Sequence, residues 1–114
     1  MANEDSLDTY IREVNAAPLL LEDEEQELVH RIKAGDRDAH DDLVRANLRH
    51  VVNIARTYQG NGLSLAHLIE EGNVGLLRAV ALYDRAADVR FSNFAGHRIR
   101  KALRRAIDVH WREK

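Results

Sequence analysis

The residues best suited to chemistry lie in residues 85–114, where basic side chains accumulate close to two phenylalanines. Only Gly96 interrupts the stretch from Ser92 to Arg112, which predicts a helix with Ser92 as its N-cap. At about 100° per residue, one face of this helix is nearly all positive and the opposite face is apolar. The polar face holds Phe94, His97, Arg98, Lys101, Arg104, Arg105, Asp108 and Arg112. A basic face with an exposed ring suits an anionic polymer of stackable bases, and an ordinary solvated face is the alternative.

Charge is distributed unevenly along the chain. Residues 1–42 carry four Arg or Lys and thirteen Asp or Glu, whereas residues 85–114 carry nine basic and three acidic residues. The net charge of −2 conceals this gradient. Such asymmetry indicates two partners of different sign, or an acidic segment that discourages non-specific binding to nucleic acid.

Residue patterns typical of enzymes and metal sites are missing from the sequence. There is no cysteine, and the six histidines show no ligand spacing. The adjacent acids Glu24 and Glu25, like Glu70 and Glu71, would point about 100° apart on a helix and could not share an acid–base site. There is also no glycine-rich phosphate loop and no nucleophile–base arrangement. The sequence therefore predicts a protein that is not an enzyme and that uses no cofactor and no metal.

Membrane insertion is not expected, because no apolar run approaches about eighteen residues and the N-terminus is acidic. We accordingly predict a protein without a membrane partner that resides in the reducing cytoplasm.

Helix periodicity and capping residues predict an all-α fold, a compact bundle of about five helices. Pro18 ends the first helix, and Gly35 and Asp36 separate the second from the third. The predicted helices cover residues 6–14, 22–34, 37–58, 64–82 and 92–112. Residues 1–35 form an acidic segment packed on a core of residues 36–114, and the two parts make one globular unit.

The fourth predicted helix has an unusual outer face, where acids lie beside apolar residues. This face holds His67, Glu70, Glu71, Val74, Leu77 and Arg78. It suits a protein-docking surface with an acidic flank. Small exposed apolar spots are also common on proteins without partners, so an ordinary surface without a docking role is the alternative.

Several stretches of the chain together resemble the bacterial RNA polymerase sigma factors of the sigma-70 family, housekeeping type. The most specific string is Leu68-Ile-Glu-Glu-Gly-Asn-Val-Gly-Leu76, followed by Phe91-Ser92 and Ile99-Arg100. Further matches are Asp5–Glu13, Pro18–Leu20, Arg31–Asp36, Ala46–Arg49, Val51–Arg56 and Ala79–Val80. The resemblance implies the fold of sigma domain 2 together with the segment that precedes it.

The resemblance also implies two partners. In the family, this domain docks on the clamp helices of the largest subunit of core RNA polymerase and captures the promoter minus-ten element as single-stranded DNA, through the non-template strand. Residues 63–82 would dock on polymerase, through His67, Glu70, Glu71, Asn73 and Leu77. Residues 85–114 would bind DNA, through Arg90, Phe91, Phe94, His97, Arg98, Lys101, Arg104 and Arg105. An anti-sigma regulator is a further partner that the resemblance suggests.

Departures from the family pattern concern mainly the aromatic residues. Phe91 and Phe94 match two of the aromatic positions that hold a flipped adenine, but Val89 replaces a third ring, and His97 and Arg98 replace a pair of tryptophans. Lys101 and Arg104 replace a Gln and a Thr that read duplex DNA. At the position of His67, the family usually has Asp. We therefore expect weaker strand opening and stronger phosphate attraction.

Three functions follow from these features. The first is a sigma-factor core domain that binds polymerase and opens the minus-ten element. The second is a sigma-like decoy or regulator that occupies the clamp without opening DNA, because the tryptophans and the family's later domains are missing from the chain. Since nothing follows Lys114, the chain is either an excised fragment or a natural one-domain relative. The third is a basic helical module that binds nucleic acid non-specifically.

Overall fold

The structure, a computed structural model, describes residues 2–84 and 88–113, with side chains described from Ser6 onward. Five helices are present in these ranges, and no strand occurs there. They are α1 (Ala2–Ala16), α2 (Glu22–Lys33), α3 (Arg37–Thr57), α4 (Leu65–Leu82) and α5 (Phe91–Arg112). The predicted all-α bundle of five helices is confirmed. Residues 85–87 of the predicted DNA-binding stretch, and its last residue, lie outside the described residues.

Local capping explains where α3 and α4 begin. The Oδ1 atom of Asp36 accepts a hydrogen bond from the backbone N–H of Ala39 at 3.1 Å, and Ser64 Oγ accepts one from His67 N–H at 3.1 Å. Each side chain satisfies an N–H that has no partner inside the helix. Asp36 also pairs with Arg31, at 2.8 Å, and these contacts lower the pKa of its carboxyl. Both predicted starts are therefore confirmed.

Two other helix starts differ from the predictions. α1 begins at Ala2 and not after Ser6. α5 begins at Phe91 with Arg90 as its N-cap, so the predicted cap by Ser92 is wrong. The Arg90 side chain makes no capping hydrogen bond within the helix. A residue from α2 contacts this end of α5 instead, as described below.

Helix α3 is the centre of the core, as its wide apolar band predicts. It packs against all four other helices. Among its fully or almost fully buried residues are Leu43, Val51, Val52 and Ala55. The N-terminal helices join this core through Val14 of α1 and through Leu28 and Val29 of α2.

Helices α4 and α5 have the most extensive contact of any pair in the described part of the chain, and glycines on α4 permit it. A Cβ atom at Gly75 would lie 2.9 Å from the carbonyl oxygen of Arg98 and 3.1 Å from Ile99 Cα. At Gly72 it would lie 2.8 Å from a methyl group of Val51, which belongs to α3. The backbones of α4 and α5 can therefore approach each other at Gly75 only because no side chain is present there, and Gly72 allows the approach of α3. This contact determines how the outer faces of α4 and α5 are placed relative to each other.

Among the described residues, no helix is long and apolar enough to cross a lipid bilayer. The same part of the chain contains no group of three His, Asp or Glu side chains arranged to hold a metal ion.

Candidate functional site

The solvent-facing side of α5 is basic along most of its length, and we call it the basic face. His97, Lys101, Arg104 and Arg105 are exposed on it, and Arg98 is partly buried. The apolar side of the same helix, with Ala95, Ile99 and Leu103, is fully buried. The predicted division of α5 into two faces is confirmed. The basic face can attract phosphate groups along the axis of the helix.

Phe94 lies near the N-terminal end of the basic face and is partly buried. Its ring centroid is 5.5 Å from that of Tyr83, with the two planes tilted by 55°. The guanidinium carbon of Arg98 lies 5.5 Å from the Phe94 ring centroid, which is within the range of a cation–π contact. This arrangement places a planar cation over the Phe94 ring, and both groups are of the kinds that stack on nucleobases.

Phe91 has a different environment from the one the resemblance implies. Its side chain is 0% exposed, and its ring packs edge-on against Tyr83 with the centroids 5.3 Å apart. Tyr83 in turn donates a hydrogen bond from its hydroxyl to the carbonyl of Val89 at 2.6 Å. Because the N-cap of α5 lies two residues before the predicted one, Phe91 is inside the helix and lies on the same side as Ala95, four residues later. Tyr83 thus contacts both Phe91 and Phe94, and the Phe91 ring is not exposed in this structure.

Arg90 is held by an acid of α2. Its Nη2 atom lies 3.2 Å from Oε2 of Glu25, and its Nε donates to Oε1 at 3.4 Å. The same Oε1 accepts the backbone N–H of Phe91 at 3.1 Å. Glu25 is 4% exposed, whereas the Arg90 side chain is 40% exposed. The charge of Arg90 is thus largely offset, so we assign it a structural role before any contact with DNA.

The sequence analysis did not identify Glu25 as a contact of α5, because an acid in the first turn of α2 is already explained by the helix dipole. The only available signal was that Glu25 lies three residues before the buried Leu28, on the core side of the helix. Nothing local to α2 indicates that its partner lies 65 residues away, at Arg90.

Other residues extend the basic face toward α3. Arg100 is exposed beside His50, whose pKa is lowered mainly by burial and further by the charge of Arg100. A hydrogen bond with the backbone of Ser92 opposes this shift. Arg104 lies close to Tyr58, with Nη1 donating to the hydroxyl oxygen at 3.4 Å. The prediction overlooked Arg100 because on a helical wheel it falls outside the basic arc, at the border with α3.

Near the C-terminal end of α5, Trp111 is 56% exposed and donates its indole N–H to the carbonyl of Asn61 at 2.9 Å. Neither the motif analysis nor the helical wheel singled out this residue.

The outer face of α4 combines acid and apolar groups, as predicted. We define it by Glu70, Val74 and Leu77, all of which are exposed. Val74 and Leu77 are 43% and 47% exposed, so nearly half of each apolar side chain is available to a partner. An acidic residue beside exposed apolar area can dock on a basic protein partner.

His67 and Glu71 lie toward α5 and border the outer face of α4. His67 Nε2 is 3.6 Å from Glu71 Oε1. Both line a groove whose other wall is formed by α5, including Arg105 and Val109. His67 is exposed and Glu71 is partly exposed. A partner that reaches into this groove would therefore be able to contact both residues.

Asn73 lies at the edge of the outer face of α4. Its side chain is partly buried against α1, and its Nδ2 donates to the hydroxyl of Tyr10 at 3.3 Å. The predicted direct contact of Asn73 with polymerase stays a prediction, and it would compete with this hydrogen bond. On the helix, Asn73 lies about 100° from Val74 but about 40° from Leu77, so it borders the outer face of α4 on the side of Tyr10.

Comparison with known proteins identifies two matching family profiles. Sigma-70 region 2 matches residues 43–113, and Sigma-70 factor, region 1.2, matches residues 5–38. The RNA polymerase sigma factor SigA of Clostridium acetobutylicum is 45% identical over 107 residues, which are 94% of this chain and 28% of that protein. The RNA polymerase sigma-C factor of Myxococcus xanthus is 43% identical over 107 residues, or 36% of its length. SigA of Listeria monocytogenes is 45% identical over 103 residues, covering 90% of this chain and 28% of its own.

Proposed function

This chain belongs to the sigma-70 family, and we propose that it is the part of a sigma factor that binds core RNA polymerase and the promoter minus-ten element. It spans about a third or less of the relatives described above. The proposal therefore concerns only the steps for which regions 1.2 and 2 suffice. In these steps the protein acts as a non-enzymatic initiation factor in the cytoplasm, where the polymerase works.

The observation that carries this proposal is the placement of two surfaces of different character on adjacent, tightly packed helices. The outer face of α4 carries Glu70 with Val74 and Leu77, and the basic face of α5 begins across a contact that excludes even a Cβ atom at Gly75. A protein partner bound to α4 would thus hold DNA against α5 at a defined angle. Acid beside apolar area on α4 suits the clamp helices of the polymerase's largest subunit if those helices are basic.

DNA binding by α5 would proceed in two physical steps. Exposed cations such as Lys101 and Arg105 attract phosphates irrespective of sequence and release counterions. Phe94 with Arg98 then offers a surface on which an unpaired base of the non-template strand can stack. Extruding a base from the duplex costs a few kcal/mol, and one base–aromatic stack recovers about 1–3 kcal/mol.

A second candidate function is a sigma-like decoy that occupies the clamp without opening DNA. The burial of Phe91 favours it, because the loss of that ring leaves Phe94 as the one aromatic residue of the predicted DNA set with accessible surface. Arg98 contributes a charge, and both His97 and Arg98 contribute hydrogen-bonding groups, but they offer less stacking area than tryptophans. An anti-sigma regulator that covers either surface is compatible with both functions.

Fluorescence anisotropy of a labelled non-template minus-ten oligonucleotide, with and without core polymerase, tests the proposal. The control oligonucleotide lacks the adenine that would be flipped. We expect discrimination between the two oligonucleotides to require polymerase, and in its presence the intact oligonucleotide to be favoured by about 5-fold or more, as one stack of 1 kcal/mol gives. If the chain binds polymerase but the two oligonucleotides bind equally well, the decoy function would be favoured over the initiator function. Tight oligonucleotide binding without any polymerase contact would support the non-specific module.

A further inference from the structure

We propose that Trp111, together with Arg104, forms a second binding site for single-stranded nucleic acid, at the C-terminal end of α5. This inference rests on the proposed function and adds a nucleobase-stacking platform that the family resemblance does not supply. Trp111 follows Arg104 by seven residues, so the two side chains share one side of the helix at a separation of about 10 Å along its axis.

The indole of Trp111 is held in place along one edge. Its Nε1–H donates to the carbonyl of Asn61 at 2.9 Å, in the turn between α3 and α4. Gly62 in the same turn has a φ of +99°, and a Cβ there would lie 3.2 Å from Cζ2 of Trp111 and 3.0 Å from His110 Nε2. The turn can accept the two rings only with glycine at this position. The polar edge of the indole is thus satisfied and its orientation is restricted.

The rest of the indole is free to bind a ligand. Trp111 is 56% exposed, more than any Phe or Tyr among the described residues. The ring of His110 contacts it at a centroid distance of 5.4 Å, with the planes at 78°. A ring that is already oriented loses little conformational freedom when a base stacks on it, which favours binding.

The charges around Trp111 favour an anionic ligand over a neutral protein surface. Arg104 and Arg112 are exposed on either side of it along α5, and the exposed acids nearby are Asp108 and Glu113. Cations attract the phosphates, and the indole provides the stacking surface, which is the combination found in sequence-tolerant single-strand binding.

The position of Trp111 implies that it binds a different nucleotide from the one at Phe94. Seventeen residues separate the two rings, which corresponds to about 25 Å along the helix. A strand that follows the basic face of α5 would meet Phe94 at one end and Trp111 at the other.

Intrinsic fluorescence can test this site directly, because Trp111 is the single tryptophan of the chain. The chain would be titrated at low salt with a single-stranded DNA oligonucleotide, and with an abasic oligonucleotide of equal length and charge. Anisotropy of labelled oligonucleotides would measure binding in parallel. We expect the normal oligonucleotide to quench the emission strongly, and the abasic one to bind more weakly with little quenching.

Variants provide a second readout that does not depend on emission. Trp111→Ala is expected to weaken binding of the normal oligonucleotide by about 5- to 150-fold, the range for one base–aromatic stack, and to leave abasic binding unaltered. Trp111→Phe keeps a ring and should retain most of the affinity. Val109→Ala is the matched control, since it removes exposed apolar area from the same helical turn on the side of the groove with α4. Circular dichroism would confirm that each variant is folded.

Three results would overturn the inference. Oligonucleotide binding with unchanged emission and an inert Trp111→Ala would exclude the site while the proposed function stands. An equal response to a polyglutamate peptide would show that the platform takes acidic protein segments. No binding of either oligonucleotide would remove both this site and DNA binding by the isolated chain, whereas polymerase binding through α4 would be unaffected.

Discussion

Glu25 and Arg90 form an ion pair that connects the acidic N-terminal segment to the first turn of α5. The two side chains meet at 3.2 Å, and Glu25 is almost completely buried beneath Arg90. The same carboxylate accepts the N–H of Phe91, so a negative charge from α2 lies at the positive end of the α5 dipole. Regions 1.2 and 2 are thereby joined at the helix that we propose binds DNA.

Removal of the Glu25 carboxylate should destabilise the fold. Glu25→Ala leaves the Phe91 N–H and the Arg90 guanidinium without their partner, and we expect a loss of about 1–3 kcal/mol in the free energy of unfolding. The upper end is limited because Arg90 is partly exposed and water can replace part of its interaction. Urea unfolding measures the change. Glu27→Ala, an exposed acid of the same helix, is the control, and equal losses for both variants would contradict a structural role for the pair.

Gly75→Ala should separate α4 from α5. The new Cβ would clash with the backbone of Arg98 and Ile99, and overpacking of this kind costs about 1–3 kcal/mol. The better helix propensity of alanine offsets about 1 kcal/mol of that. Gly72→Ala first meets a side-chain methyl of Val51, which can move more easily, so we expect a smaller loss of stability. Thermal unfolding of both variants measures the two losses of stability. A larger loss for Gly72→Ala than for Gly75→Ala would contradict this prediction.

Charge reversal on the outer face of α4 should weaken binding to core polymerase. Glu70→Lys places a cation opposite the basic partner proposed for this face, and we expect at least about tenfold weaker binding, or roughly 1.4 kcal/mol. Leu77→Ala should weaken it as well, since it removes exposed apolar area. Binding would be measured by biolayer interferometry, with Glu27→Lys as a control on α2. Unchanged affinity of both α4 variants would rule out this docking face.

The salt dependence of DNA binding should report the basic face directly. Lys101→Ala and Arg105→Ala each remove one phosphate contact, so each should lower the slope of log affinity against log salt concentration by about 0.7–0.9. The matched control is Arg45→Ala, which removes a charge from α3 that is paired with Asp42. Anisotropy titrations at several salt concentrations give the slopes. An equal change for Arg45→Ala would mean that overall charge, and not this face, governs binding.

Acid should weaken the contact of α3 with α5 at His50. Because burial lowers the pKa of His50 below the usual 6.5, this residue contributes stability that is complete above that pH and is lost as the pH falls through its lowered folded-state pKa. Wild-type protein should therefore lose more thermal stability between neutral and mildly acid pH than His50→Gln does. His30→Gln, at an exposed histidine, should behave as wild type. Parallel pH profiles for wild type and His50→Gln would disprove the coupling.

Most helix boundaries and faces could be predicted because they depend on short-range physics. Asp36 and Ser64 cap helices through N–H groups three residues away, so the local sequence contains the complete interaction. The start of α5 could not be predicted in this way, since its first N–H bonds to Glu25 from another helix. Ser92 has the right chemistry for a cap but lies inside the helix that this distant carboxylate helps to start.

The residues of the candidate site show the same difference between features set by the local sequence and features set by distant contacts. Periodicity alone placed Lys101 and Arg105 on the basic face and Leu77 on the outer face of α4, because a helix turns by a constant angle per residue. Whether a side chain at the edge of such a face is free depends on its neighbours in space. Phe91 is buried by Tyr83, and Asn73 is turned toward Tyr10.

The sequence by itself therefore determined the family, the five helices and the two oppositely charged ends of the chain, since each depends on residue order and helical spacing. Only the tertiary structure decided which groups remain available to partners. It pairs Arg90 with Glu25, buries Phe91 and orients Trp111 on the turn before α4. The physical reason is that burial and ion pairing arise between residues far apart in the chain, whose approach depends on how the helices pack.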